Sequence, residues 1–346
     1  MKYSFSIIIV TWNAIHHIRR YLPSVIETNY PLFEIIIANN ASEDETVRWV
    51  ESEYPHCRVV TFDQNYGYAE GNNRAAEHAN GDILLFLNND VKTDPDWLEP
   101  LNRQFQNHEV GAVQPKILDA QNPMLFEYAG ASGGYIDRFG YPFCRGRVFD
   151  TIEKDDGQYN DASDIFWASG AALAIRKELF MKSGGFDSDF EFHMEEIDLC
   201  WRSLKMGHRI RVEPQSVVYH LGGGSLQQGN PRKVYYNYRN SLLMLLKNLD
   251  RNVLIKIFAR LILDGVAGIR FLLMGNPASC IAIIRSHFSF YRRVPETIRK
   301  RSDKKQRMVK ETPKSLLYSG LLVFDYFLKG RKTFQELNFH PEPESE

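Results

Sequence analysis

Ile83-Leu84-Leu85-Phe86-Leu87-Asn88-Asn89-Asp90 is the stretch on which the fold of this chain turns. Consecutive apolar residues cannot alternate between a wet and a dry face. The run therefore reads as a strand buried on both sides, as in a parallel sheet covered by helices. It stops abruptly at three polar residues. Open α/β sheets bind their ligands just past the carboxyl ends of central strands, which is where Asn88-Asn89-Asp90 falls.

Upstream, Ser6-Val10, Glu34-Ala38 and Arg58-Phe62 are shorter runs of the same kind. Between the runs, Ile15 to Ile26, Glu43 to Glu53 and Tyr68 to Ala79 have helical spacing. Strand and helix alternating at this period predict βαβ units and a parallel sheet. Downstream come a helix containing Pro95 and ending near Gln106, and a strand over Val110-Gln114. Residues 115–165 are Gly-rich, aromatic and irregular, and read as an insertion of loops and short strands. Trp167 to Arg176 reads as a strand. Lys177-Ser183 and Glu195 to Lys205 read as helices stopped by Gly184-Gly185 and Gly207. Short strands are expected at Arg209-Val212 and Val217-Tyr219. A flexible Gly222-Gly223-Gly224-Ser225 turn then precedes a helix from Pro231 to about Leu249.

The whole chain supports a folded α/β protein. It has 346 residues, 42 Lys plus Arg against 43 Asp plus Glu, and 44% hydrophobic residues, which excludes a disordered or collagen-like chain. A net charge of -1 argues against a general nucleic-acid binder. Cys57, Cys144, Cys200 and Cys280 form no CxxC, so no zinc ribbon or redox pair is predicted. Ile7-Ile8-Ile9-Val10 leads into Thr11-Trp12-Asn13 rather than a small-residue cleavage site, and is read as a strand, not a leader. No uncharged apolar stretch of about 18 residues is present, so no membrane span is expected.

After residue 250 the pattern changes. In Val253 to Met274 the charges Lys256, Arg260, Asp264 and Arg270 share about 120° of a helical wheel, and Leu, Ile and Phe fill the rest. Residues 285–332 hold 14 Lys or Arg against 4 Asp or Glu. The amphipathic stretch and the cluster Arg299-Lys300-Arg301, Lys304-Lys305 and Arg307 suit a membrane surface carrying anionic lipid. The expected organisation is a domain over 1–250, a helical amphipathic and basic region over 251–334, and a disordered acidic tail over 335–346.

No G-x-G-x-x-G follows the first strand and no G-x-x-x-x-G-K-[ST] is present, so dinucleotide and P-loop binding are set aside. An ordered series of motifs stands in their place. It begins with Ile8-Ile9-Val10-Thr11-Trp12-Asn13 and Asn39-Asn40-Ala41-Ser42-Glu43-Asp44. Asn65-Tyr66-Gly67-Tyr68-Ala69-Glu70-Gly71-Asn72-Asn73 and Leu87-Asn88-Asn89-Asp90 follow. Gly184-Gly185-Phe186-Asp187, Glu195-Glu196-Ile197-Asp198-Leu199-Cys200-Trp201-Arg202 and Val218-Tyr219-His220 complete it. The set resembles family 2 inverting glycosyltransferases, close to their bacterial rhamnosyltransferase-like branch, over roughly residues 4–250. The resemblance implies a GT-A fold, a Rossmann-like mixed α/β sheet, with the helical basic region as an extension.

The resemblance also assigns roles. Thr11, Asn13, Asn39 and Asp44 belong to the motifs that hold the donor nucleotide. The family usually has Asp where Asn39 stands; an amide oxygen still accepts a hydrogen bond, without the strength of a charged acceptor. Asn65, Gly67, Gly71 and Asn72 lead into a helix whose N-terminus favours phosphate. Asn88, Asn89 and Asp90 stand at the D-x-D-like motif, where Asp90 is the metal ligand and Asn88 replaces a common acid. His220 completes the site in some relatives, and imidazole with carboxylate suits Mn²⁺ or Mg²⁺ at a nucleotide diphosphate. Glu196 takes the place of the proposed base beside Glu195, and an inverting transfer needs one such base. Trp167, Asp198 and Arg239 are candidates for acceptor or sugar contact.

Taken singly, Asn39-Asn40 also reads as a strand-end turn, Asp90 as a cap, and the acids at 195–198 as a first helical turn. Trp167 reads equally as core, and Arg239 as half of an ion pair. The order of the motifs favours the enzymatic reading. The implied partners are a nucleotide-diphosphate sugar, a lipid-linked glycan acceptor, a membrane surface on the cytoplasmic side, and a second copy of the chain. Rhamnose from a dTDP donor leads, with a hexose from a UDP donor open. The competing reading is a catalytically degenerate binding subunit, motivated by the amides Asn39 and Asn88. A nucleotidyltransferase is disfavoured because Thr11-Trp12-Asn13 is not a Gly-rich phosphate loop.

Overall fold

The computed structural model describes residues 1–222, 230–305 and 308–341. The first half follows the predicted alternation: β1 (Phe5–Thr11), α1 (Ile15–Ile26), β2 (Phe33–Asn39), α2 (Thr46–Glu53), β3 (Arg58–Thr61), α3 (Gly67–Ala76) and β4 (Ile83–Leu87). Next come β5 (Val91–Thr93), α4 (Leu98–Gln104) and β6 (Val110–Asp119). Four short strands then form: β7 (Gly134–Asp137), β8 (Pro142–Cys144), β9 (Arg147–Val148) and β10 (Thr151–Ile152). β11 (Ser163–Asp164), β12 (Ala172–Arg176), α5 (Lys177–Ser183), α6 (Glu195–Lys205) and β13 (Arg209–His220) follow. The chain continues through α7 (Pro231–Asn248), α8 (Val253–Leu273), α9 (Pro277–Lys305), β14 (Leu317–Tyr318) and α10 (Leu322–Phe327).

The main sheet is ordered β11-β13-β6-β12-β4-β1-β2-β3, with β5 on β13. β4, β1, β2 and β3 are parallel, and β12 runs antiparallel between β4 and β6. β4 is buried at every position, as its unbroken apolar run requires. β1 and β4 are therefore interior strands. Thr11 and Asn39 pair at their carboxyl ends, beside the loop that carries Asn88, Asn89 and Asp90.

Several expectations are corrected. The strand expected from Trp167 begins at Ala172, because Ser169 and Gly170 bend the chain before β4 is reached. The two short strands at 209–219 are one strand, β13, whose register on β6 shifts between Glu213 and Val217. The irregular segment builds a second sheet, β10-β9-β8-β7-β14, and its last strand comes from the C-terminal region. Residues 251–334 thus return to the first unit. The expected tail from Gln335 is packed as far as Pro341: Leu337 is buried and Phe339 stacks on Tyr135 and Phe143. Residues 342–346, most of the expected Gly222–Ser225 turn, and Arg307 lie outside the described residues, as do the side chains of Lys304 and Lys305.

α8 and α9 face outward in an unusual way. The charged stripe of α8 points into the protein, where Arg260 and Asp264 are 3% and 0% exposed and paired at 2.7 Å. Its apolar side points away: Leu254, Phe258, Ile262, Val266, Ile269 and Leu273 are all exposed. Among the described residues no helix is long and apolar enough to cross a membrane. The basic cluster expected to meet lipid is partly turned inward. Lys300 pairs with Asp187 and Asp189, and Arg301 donates to the carbonyls of Leu246, Lys247 and Leu249 at the end of α7.

Candidate active site

The site grows from the ends of β1, β2 and β4. Asn89 Nδ2 donates to Thr11 Oγ1 at 3.2 Å, tying the polar end of β4 to that of β1. Asp90 follows at once, and β13 brings His220 to it through pairing with β5. His220 Nε2 lies 3.1 Å from Asp90 Oδ1, and Asn88 Nδ2 lies 3.2 Å from the same nitrogen. On the other side of the ring, Nδ1 is 3.3 Å from Glu127 Oε1. All three charged groups are buried. Burial alone would depress the imidazole, but Glu127 and Asp90 together hold it up at about 10. Burial would raise Asp90, yet His220 holds it below its ordinary value.

Among the described residues no three His, Cys, Asp or Glu side chains converge as a complete metal cage. Two protein donors are enough for an ion that also binds substrate phosphates. Bonds of about 2.1 Å to adjacent corners of an octahedron set donors roughly 3 Å apart. The observed 3.1 Å between Asp90 and His220 fits that spacing. Glu127 stands 3.3 Å from the other ring nitrogen, in ion-pair contact with the imidazole, where a carboxylate behind a metal-binding histidine is commonly found.

The acid pair sits at the start of α6. Its approach is strained: His193 and Met194, both non-glycine, have φ of 65° and 76°. Asn240 Nδ2 holds this turn by donating to the carbonyls of Phe192 and His193 at 2.7 and 2.9 Å. Glu195 is buried and Glu196 half-buried, and one carboxylate oxygen of each has no hydrogen-bond partner among the described residues. Unpartnered buried carboxylates are costly, and such groups concentrate where chemistry is done. Burial, with the neighbouring Glu196 charge, pushes Glu195 well above the ordinary carboxylate range. Burial pushes Glu196 up to about 7. Burial pushes the Cys144 thiol up to about 11, with smaller contributions from the charges of Glu127 and Glu196.

The remaining sequence candidates separate. Asn39 Oδ1 accepts from Ser42 N–H at 2.9 Å, so one of its lone pairs is committed to the turn and one is left for a base. Asn13 stands at φ 47° and its side chain holds Glu43 N–H. Asp44 accepts from Ile15 N–H and Thr46 N–H and so caps two helices. The start of α3 is likewise occupied: Asn40 takes Tyr66 N–H and Asn65 takes Gly67 N–H. Those amides are therefore not offered to a phosphate. A Cβ on Gly71 would stand 3.2 Å from Val10, a tight contact, and Asn72 bonds within its own helix. Trp167 is 2% exposed and donates to Tyr135 O, which puts it in the core. Asp198 is wholly buried among Arg202, Lys247 and Asn248. Arg239 is buried against Glu191 and Asp189 O, bracing the turn ahead of Glu195.

Three residues escaped the sequence reading. Glu127 lies in the irregular segment, where a single acid carries no pattern. Trp12 was quoted with its motif, but its exposure sets it apart: it is 54% exposed beside Thr11, offering a ring face at the nucleotide end of the sheet. Lys233, in the first turn of α7, lies 5.4 Å from the Tyr128 ring centroid, and its charge reaches both Glu127 and His193.

The family model described as Glycosyl transferase family 2 matches residues 6–182, the stretch that builds β1 to β4 and the Asp90 loop. The chain belongs to glycosyl transferase family 2. Its fold is GT-A, and it is a glycosyltransferase. It is 33% identical over 200 residues to the O-antigen biosynthesis protein RfbC of Myxococcus xanthus, covering 56% of this chain and 15% of that protein. It is 26% identical over 230 residues to the N-acetylglucosaminyl-diphospho-decaprenol L-rhamnosyltransferase of Mycobacterium tuberculosis, covering 62% of this chain and 75% of that protein. GalNAc-T7, solved with UDP, GalNAc and Mn²⁺, superposes with a TM-score of 0.56 at 16% identity over 72% of this chain and 49% of that one. The mannosyltransferase PcManGT of Pyrobaculum calidifontis, solved with GDP-Man and Mn²⁺, gives 0.54 at 17% identity over 84% and 88%. At such identities the structural likeness speaks for the fold alone.

Proposed function

We propose that this family 2 glycosyltransferase moves a sugar from a nucleotide-diphosphate donor to a hydroxyl of a lipid-linked glycan, inverting the anomeric centre in one displacement. The observations that carry the reading are the unpartnered carboxylate oxygens of Glu195 and Glu196 and the buried Asp90–His220–Glu127 cluster. Glu196 takes the proton of the acceptor hydroxyl as that oxygen attacks the anomeric carbon and the bond to the diphosphate breaks. Glu195, held neutral by burial and by its neighbour, leaves Glu196 as the one charge of the pair. Asp90 and His220 would hold Mn²⁺ or Mg²⁺, which when bound supplies positive charge to the departing nucleoside diphosphate. Lys233 adds a second cation on the same side. Trp12 offers stacking to the base, and Thr11 and Asn39 offer polar contacts at its edge.

The name of the Mycobacterium tuberculosis relative supports rhamnose as the donor sugar and a diphospho-lipid acceptor; dTDP-rhamnose is the leading donor. A hexose from a UDP donor is the alternative. The outward apolar side of α8 supports work at the inner face of the cytoplasmic membrane, and among the described residues no helix is long and apolar enough to cross it.

A thermal-shift panel of UDP, dTDP, GDP and CDP, with and without Mn²⁺, tests the donor site. A ligand at about 100 times its Kd stabilises by roughly 2.7 kcal/mol, enough for a shift of a few degrees. The expected result is a Mn²⁺-dependent shift with one nucleotide that disappears in Asp90→Ala. Absence of a shift with every nucleotide would move weight to a degenerate binding subunit, the reading that Asn39 and Asn88 motivate.

A further inference from the structure

The basic side chains of the α8–α9 layer are largely accounted for. Arg260 pairs with Asp264, Arg293 with Asp189 and Glu191, Arg299 with Glu296, and Lys300 with Asp187. Arg301 caps α7. Among the described residues Lys256, Arg270, Arg285 and Arg292 have no side-chain ion pair or hydrogen bond; Arg270 lies over the Phe327 ring, whereas Arg285 and Arg292 stand together. Both line a cleft of about 340 Å³ between α7 and α9, with Tyr235, Phe288 and Ser289. They are seven residues apart, about 10 Å along the helix, on one face.

That same face carries exposed Ile281, Ile284, Phe288 and Tyr291. Two unpaired guanidinium groups thus stand in an apolar strip of α9. If the strip meets lipid, these charges need an anion that enters the same medium, because an uncompensated charge there is costly. A phosphate attached to a long apolar tail has that chemistry, and guanidinium forks match its oxygens. The cleft is also connected to the base. The Tyr235 ring lies 5.4 Å from the Arg239 guanidinium, Arg239 and Asn240 brace the turn before Glu195, and Arg293 pairs with Glu191 of that turn.

We infer that Arg285 and Arg292 hold the phosphate groups of the lipid-linked acceptor, with its hydrocarbon tail along the apolar strip of α8 and α9. The assignment rests on the proposed transfer to a lipid-linked glycan. It goes beyond that reading by giving the acceptor an anchor of its own, apart from the residues assigned to the donor.

Farnesyl diphosphate is a soluble probe. Its binding to the full chain is measured in chelator, so that no metal assists binding at the donor site. The expected result is a Kd that rises at least about tenfold in Arg285→Gln/Arg292→Gln and is largely restored in Arg285→Lys/Arg292→Lys, with farnesol and inorganic pyrophosphate each binding far more weakly to wild type. Unchanged affinity in the Gln variant would overturn the assignment. So would pyrophosphate binding as tightly as the prenyl compound, which would mark a free-phosphate site. So would an equal loss of binding to phosphatidylglycerol vesicles, which would mark a general headgroup contact. The nucleotide-dependent thermal shift is measured on the same variant. Its retention alongside lost prenyl binding supports the cleft, and its absence already in wild type would instead be a failure of the transferase reading.

Discussion

In the proposed mechanism Glu196 is the base, and its environment sets when it can act as one. Burial raises its carboxyl to about 7, so it is largely protonated in mild acid. The kcat/KM of transfer should therefore fall about tenfold per pH unit below about 7, and Glu196→Gln should cost about 10²–10⁴-fold in kcat at pH 8. Linkage gives a second readout. A raised folded pKa favours the protonated native state, so this contribution to stability is full below the unfolded value near 4.5 and is lost as pH rises through about 7. Glu196→Gln should then melt above wild type at pH 8 but not at pH 5; equal melting temperatures at pH 8 would show that burial does not penalise this charge. Glu127 is a different case, since it acts through His220. Glu127→Gln should raise the Mn²⁺ concentration needed for half-maximal nucleotide-dependent stabilisation by about 10–100-fold, leaving the metal-free melting temperature much less affected. A metal midpoint that does not move would remove Glu127 from the site.

At the scale of elements, the site depends on α7 as much as on the sheet. Arg239 and Asn240 are buried in that helix and hold a turn in which two successive residues adopt positive φ. Asn240→Ala removes two hydrogen bonds to carbonyls of the turn and should destabilise the fold by about 1–3 kcal/mol. The same variant should lower kcat while leaving nucleotide affinity at the Asp90 end unchanged, and a matching loss of nucleotide affinity would mean that the turn also shapes the donor site. This element also marks the limit of what the sequence discloses. β1 to β4 are legible because unbroken apolar runs end in polar clusters, and this period places Thr11, Asn39 and Asp90 at one edge. Arg239 and Asn240 are recognisable as a motif, but their action on the turn before Glu195 is a contact across about fifty residues of chain. Gly71 shows the converse. It looks like a phosphate-loop glycine, and it also lets α3 pack closely on the side chains of Val10 and Asn40. Glu127 and the second sheet were illegible for one reason: short strands in an aromatic, Gly-rich segment gain their order from β14, which arrives from beyond residue 316.

For the whole molecule, the orientation of α8 sets where the enzyme works. A helix in water turns its apolar side inward, whereas α8 buries Arg260 and Asp264 and leaves Leu254, Phe258, Ile262 and Val266 outside. Amphipathicity read from the wheel gives two faces without saying which one meets the protein; the pairing of Arg260 with Asp264 and its stacking on Tyr141 decide it. Several basic residues expected at the lipid surface are engaged within the fold, so hydrophobic insertion should outweigh headgroup attraction. Each such side chain moved into the interface contributes about 1.5–3 kcal/mol when fully buried. The full chain should therefore co-sediment with mixed phosphatidylcholine and phosphatidylglycerol vesicles, and most of that binding should survive about 0.5 M salt, where surface charges are strongly screened. Phe258→Asp with Ile262→Asp should abolish it without loss of melting temperature, since both side chains are exposed in the folded protein. Binding that vanishes in salt and persists in the double variant would mean that basic residues alone hold the enzyme to the surface, and α8 would then need another partner to cover it.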